Sequence, residues 1–252
     1  MGSEMCIRDS VVAAFVGADV VLVALLDADA AQSAGYQALS TLAKGPAYLA
    51  VGAAVVAFPL LRSGGAEVDR ILTATLRSFG RLAFSAAAVI ATVPHELALL
   101  VIPERYAGSL DLLPLLAVAG IGYAGTTLLA TLMAALRAYR RCQAGLLVAV
   151  VVMPAGVALG WELGGVTGFA VGVTAASLIA TTGLWIAAAP LLPRGTVRLA
   201  ARGLALAAGL AGLLWAASLV PLTWCACVLL LGAGVLHLSR ERRPALNAEE
   251  TR

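Results

Sequence analysis

Residues 144–161 read AGLLVAVVVMPAGVALGW, residues 162–165 read ELGG, and residues 166–192 read VTGFAVGVTAASLIATTGLWIAAAPLL. Two apolar runs of membrane-crossing length flank a short turn that carries Glu162 and the helix-breaking pair Gly164-Gly165. A helix needs about 20 mostly apolar residues to cross the hydrocarbon core. Inside lipid a chain must satisfy its own backbone, which leaves helices and closed barrels as the available structures. The stretch therefore reads as a helical hairpin whose solvent is lipid.

The same grammar runs outward in both directions. Upstream lie apolar segments at about 11–26, 35–61, 82–102 and 110–136, and downstream a final hairpin at about 203–220 and 222–238 that turns at Pro221. The expected architecture is an all-α, polytopic membrane helix bundle of about eight transmembrane helices, with residues 239–252 as a polar tail. Composition agrees: 61% of the residues are hydrophobic and 12% charged, and the mean hydropathy is +0.95. Soluble domains carry about 25% charged residues. Residues 67–81 stand apart, with Val68, Ile71, Leu72, Thr75, Leu76 and Phe79 at helical spacing. They predict a short interfacial helix leading into the next span.

The arginines fall in alternate gaps. Arg62, Arg70, Arg77 and Arg81 share a side with Arg137, Arg140 and Arg141, then Arg194, Arg198 and Arg202, then Arg240, Arg242, Arg243 and Arg252. Arg105 lies on the opposite side with Asp27, Asp29, Glu104 and Glu162. By the positive-inside rule the arginine side and the C-terminus are cytoplasmic, as in a multi-pass protein of a bacterial or archaeal plasma membrane. The net charge of +3 is topology signal, and no basic patch resembles a nucleic-acid footprint. Cys6, Cys142, Cys225 and Cys227 form no CxxC pair and read as small apolar residues. Neither a metal nor a cofactor is expected. No Walker loop, GxGxxG, HExxH or convergent acidic loop is present, so the chain does not read as an enzyme.

Charges inside spans cost about 2.5–3.5 kcal/mol each on insertion scales and default to functional hypotheses. Asp19 lies about 12 Å by helical rise from Asp27, and Lys44 sits at a comparable depth in the next span. Antiparallel neighbours either bring the two together or point both at a wet cavity, against plain readings of a structural ion pair or a lysine snorkelling to the headgroups. Gly45-Pro46 follows Lys44. Proline removes a backbone donor, so the freed carbonyl near Leu42 or Ala43 must find another partner. Pro94-His95-Glu96 is a second polar interruption. His95 and Glu96 are candidates for proton coupling, against a plain reading in which both face the outer interface.

Residues 1–10, MGSEMCIRDS, match no helical pattern and no signal-peptide order. Back-translated, they resemble a sequencing adapter, and the natural sequence is expected to begin upstream of Val11.

Two stretches carry a family resemblance. Asp19-Val-Val-Leu-Val, Ala34-Gly35-Tyr36-Gln-Ala38 and Phe58-Pro59-Leu-Leu61 form the first; Leu97 to Leu116, with Ile102-Pro103-Glu-Arg-Tyr106, forms the second. Arg137 to Arg141 and Gly164-Gly165-Val-Thr-Gly168 follow in the same order. The chain resembles the C-terminal half of prokaryotic polysaccharide and O-antigen flippases, the oligosaccharide-exporter branch of the MATE-related superfamily. The resemblance covers residues 11–192, with 193–238 matching the extra hairpin of fourteen-span members. It implies one lobe of a two-lobed, alternating-access bundle whose missing N-terminal lobe would be a partner. The implied substrate is an undecaprenyl-diphosphate-linked oligosaccharide. Lys44 would meet phosphate, Asp19 would orient it or couple to a cation, and Tyr36 would share their cavity. The alternatives are a MATE-type drug/cation antiporter or lipid II flippase and, more distantly, a membrane glycosyltransferase or polymerase using Asp27, Asp29 or Glu104.

Overall fold

The structure, a computed structural model, describes the backbone of residues 2–26, 29–65 and 67–241, with side chains from residue 8 to residue 233 in those ranges. It is all-helical, and no strand occurs among the described residues. The helices are α1 (Gly2–Leu25), α2 (Ala30–Ala43), α3 (Gly45–Arg62), α4 (Val68–Ala91), α5 (His95–Ala98), α6 (Leu113–Ala135), α7 (Tyr139–Ala188), α8 (Thr196–Ala217) and α9 (Pro221–Glu241). Short 3₁₀ segments cover Glu104–Leu112 and Ala189–Leu191. Among the described residues four segments are long and apolar enough to cross a membrane: Ala30–Arg62, Glu104–Ala135, Tyr139–Leu191 and Thr196–Ala217. The chain is a membrane-type helical protein at this level of description.

The α7 hairpin forms where the sequence places it. Gly164 (φ −164°, ψ 24°) and Gly165 (φ 55°, ψ −135°) leave helical geometry, and the second needs a backbone conformation that only glycine adopts freely. The arms on either side pack backbone to backbone. A β-carbon on Gly156 would meet the Gly172 carbonyl, and one on Gly160 would meet that of Gly168, with reciprocal contacts from the other arm. Each arm has about 25 residues, roughly 37 Å of helix, against a hydrocarbon core of about 30 Å. In lipid such close approach of small residues replaces the hydrophobic effect as the source of helix association.

α6 is the hub, largely enclosed by α3, α4 and α7. Its glycines take the closest approaches: Gly122 faces Ser177 and Gly125 faces Thr181. Thr181 donates to the Gly122 carbonyl at 2.5 Å and lies 3.0 Å from the Thr126 hydroxyl. A Schellman turn ends α6, with Ala138 N–H bonded to the Met133 carbonyl (2.8 Å) and Arg137 N–H to that of Ala134 (3.1 Å). Arg137 occupies the left-handed position, φ 59°, where glycine is usual.

Two expectations change. Residues 2–10 continue α1 instead of standing outside it; once the apolar part has nucleated a helix, each further residue adds a hydrogen bond at little cost. The amphipathic stretch and the following span are one helix, α4, and that span does not continue to Ile102. Pro94 has no N–H and disfavours helical geometry at Val93, so α4 stops at Ala91. The Thr92 hydroxyl donates to the Ala88 carbonyl (2.8 Å), and Trp224 Nε1 donates to Thr92 Oγ1 (3.2 Å), tying α9 to the end of α4.

Val11, Val12, Ala138, Leu191 and Leu192 pack around Cys142 and Leu184, so the Val11–Val12 part of α1 lies beside both the start and the end of α7. Arg77, Arg194, Arg198 and Arg202 line one cleft. The 3₁₀ segment Glu104–Leu112 packs on α2.

Candidate functional site

The polar cluster forms because one face of α2 repeats at helical spacing. Tyr36, Ser40 and Lys44 are four residues apart, so they stack along a single stripe, and α1 lays Asp19 against it. Lys44 Nζ donates to Asp19 Oδ1 at 2.8 Å. The other oxygen, Oδ2, accepts from Ser40 Oγ at 2.5 Å and from Tyr36 Oη at 3.2 Å. Asp19 has no exposed surface and Lys44 is 7% exposed. A carboxylate and an ammonium are thus held inside an apolar bundle, each by the other, with two hydroxyls completing the shell of the carboxylate. Burial on these terms requires pairing and hydrogen bonding together.

Aromatic rings close the sides. Lys44 Nζ lies 5.5 Å from the centroid of the Tyr123 ring on α6, within cation–π range. Phe15 of α1 packs edge-on against Tyr123, and Phe169 of α7 against Tyr36. The Tyr123 hydroxyl is buried beside the pair.

Lys44 is also the joint between α2 and α3. Pro46 has no N–H for the Leu42 carbonyl, and the Ala47 N–H turns to the Lys44 carbonyl at 2.9 Å. The Ala43 carbonyl is therefore released, and it lies against the backbone of Gly120, where a β-carbon would collide with it. That contact is a close packing fit rather than a hydrogen bond. It also means the break in this span is built around the lysine and fitted to α6.

Beside the pair runs a groove of about 580 Å³ between α1, α3 and α6, reaching from Arg8 and Asp9 past Phe58 to Val16, Ala47 and Thr127. Those last three residues stand about one helical turn from Asp19, Lys44 and Tyr123 respectively. Arg8 and Asp9 pair with each other at the groove mouth.

The remaining candidates lie elsewhere. His95 and Glu96 are exposed at the break after α4 and form no ion pair. Asp29 is exposed and caps α2, accepting from the Ala31 N–H at 3.4 Å. Glu104 and Glu162 are exposed, and Arg105 stacks on Tyr106 at 4.7 Å. Asp27 lies outside the described residues, as do the side chains of Cys6 and His237. Among the described residues no group of three His, Cys, Asp or Glu side chains gathers as a metal site. Ser40 and Phe169 belong to the cluster without having been singled out, and Tyr123, an aromatic expected by sequence at an interface belt, is buried beside the pair. The four-residue spacing of Tyr36, Ser40 and Lys44 was the available signal for Ser40.

No protein-family model matches the chain, nor does any curated protein or solved structure.

Proposed function

We propose that the chain is a helical lobe of a plasma-membrane transporter that moves undecaprenyl-diphosphate-linked oligosaccharides from the cytoplasmic to the outer leaflet. On this reading the bundle crosses the bilayer eight times: α1, α2 with α3, α4, α6, the two arms of α7, α8 and α9. Its arginine-bearing end and its C-terminus face the cytoplasm, and a second helical lobe supplies the facing wall of the transport path.

The observation that carries the proposal is the buried Asp19–Lys44 pair at the joint of a broken span. Broken helices in transporters border substrate paths, and intramembrane ion pairs mark them. A diphosphate advancing along the α1–α3–α6 groove competes with Asp19 for the Lys44 ammonium. Asp19 then keeps its two hydroxyl donors, Tyr36 and Ser40. Loss of the Asp19–Lys44 contact frees the joint between α2 and α3 to move. The exchange couples anion binding to helix movement through one carboxylate.

Cells carrying Lys44→Ala in the chromosomal gene test this. The variant protein is expected to insert normally while surface glycan is lost. Wild-type glycan display from correctly inserted Lys44→Ala protein would support a structural scaffold and reject the transport role.

A further inference from the structure

A second site lies away from the ion pair, where α4 meets α8. Arg77, Arg194, Arg198 and Arg202 line a polar cleft of about 290 Å³ together with Thr73, Gly195 and Thr196. Through Arg77, Arg202 and Thr196 it joins an apolar groove of about 450 Å³. Phe79, Phe84, Ile121, Leu128, Trp185 and Leu206 form the apolar walls of that groove. Among the described residues none of these four arginines has an acidic partner.

Everything local makes the cleft unfavourable without an anion. Arg198 and Arg202 are four residues apart on one helix, a spacing at which like charges repel. Arg194 and Arg198 bracket the N-terminus of α8, whose first turn carries no acidic residue, so they oppose its positive dipole end. The Val197 and Arg198 N–H groups, which have no carbonyl four residues back within the helix, add to the positive potential of that end. Beyond the arginines the surface turns apolar, and α8 is exposed along most of its length, as a helix facing acyl chains would be.

We propose that this composite site holds an anionic glycerophospholipid, with its phosphate among Arg77, Arg194, Arg198 and Arg202 and an acyl chain in the groove beside Trp185. The site is independent of the Asp19–Lys44 pair and of the transport reading. The bound lipid adds to the α4–α8 interface, where Gly203 faces the Phe84 ring and Ala88, Val89, Leu210 and Leu214 share an apolar cluster.

Trp185 provides the assay. The full chain is placed in phosphatidylcholine vesicles that contain brominated phosphatidylglycerol or, at the same mole fraction, brominated phosphatidylcholine. The share of fluorescence quenching that disappears in Trp185→Phe belongs to Trp185. Phosphatidylglycerol is expected to quench that share with an apparent preference of about 25-fold or greater, falling about fivefold in Arg198→Gln and about fivefold in Arg202→Gln. Arg198→Lys is expected to keep most of it. Equal quenching by the two lipids in the wild-type chain overturns the proposal whatever the variants do. Abolition of the preference by millimolar inorganic phosphate overturns it in favour of a soluble anion. Arginine variants that fold and retain the wild-type preference overturn the headgroup assignment.

Discussion

Lys44→Met removes the ammonium that stands 2.8 Å from a carboxylate with no exposed surface. At that separation, an effective dielectric of about 20 gives an attraction of about 6 kcal/mol. Desolvating the two ions costs several kcal/mol each, so the intact pair adds little net stability. Removing one partner is different, because Asp19 is then left charged or must take up a proton inside the bundle. The expected loss is about 3–5 kcal/mol. Asp19→Asn added to Lys44→Met abolishes the stranded charge and still offers Ser40 or Tyr36 an oxygen acceptor. The double variant should therefore recover most of the loss, with a coupling of at least about 2 kcal/mol in the double-mutant cycle. Equilibrium unfolding in mixed micelles, driven by a denaturing detergent and followed by helical circular dichroism, reads all four proteins. A Lys44→Met cost below about 1 kcal/mol, or strictly additive losses, would show that water solvates the pair and refute its burial.

Gly120→Ala places a methyl group against the released Ala43 carbonyl. The resulting overpacking should cost about 1–3 kcal/mol in the same unfolding assay, and a neutral outcome would remove the proposed fit between the broken span and α6. Arg137→Gly relieves a left-handed residue at the end of α6 and should stabilise the fold by about 0.5–1 kcal/mol; a loss would show that the arginine side chain outweighs the strain. In a chain with its four cysteines replaced, an impermeant maleimide added outside intact cells should label Glu104→Cys and spare Arg140→Cys. The reverse pattern would invert the topology.

The fold was most legible where spacing and chemistry agreed. The glycine pair at 164–165 between two apolar runs defines the α7 hairpin, and Pro221 marks the turn between α8 and α9, because each removes a local option the chain would otherwise have. The α4 region was harder. Pro94 within a long apolar run permits either a kink or a stop, and that choice depends on Thr92 and Trp224, which meet only after folding. Residues 2–10 show the complementary effect, since a polar stretch with no apolar period is drawn into α1 by the helix it precedes.

At the site, depth alone paired Asp19 with Lys44, because insertion cost forces opposite charges in adjacent spans together. Tyr123 was not legible from its own helix. Its ring reaches Lys44 only because Gly120 lets α6 close on the α2–α3 joint. The arginine cleft was half legible: parity put Arg77, Arg194, Arg198 and Arg202 on one side, whereas their convergence on a single groove depends on how α8 docks against α4.

Leaflet sidedness of the lipid-linked glycan tests the central claim most directly. Right-side-out and inverted membrane vesicles would be prepared from cells carrying the wild-type gene, Lys44→Ala or Lys44→Arg, and probed with an impermeant glycan-oxidising reagent. The account predicts glycan reactive on the outer leaflet in the wild type and confined to the cytoplasmic leaflet in Lys44→Ala. Lys44→Arg, which preserves the charge, should give partial outward movement. Equal outward glycan in the wild type and in an inserted Lys44→Ala protein would contradict the account.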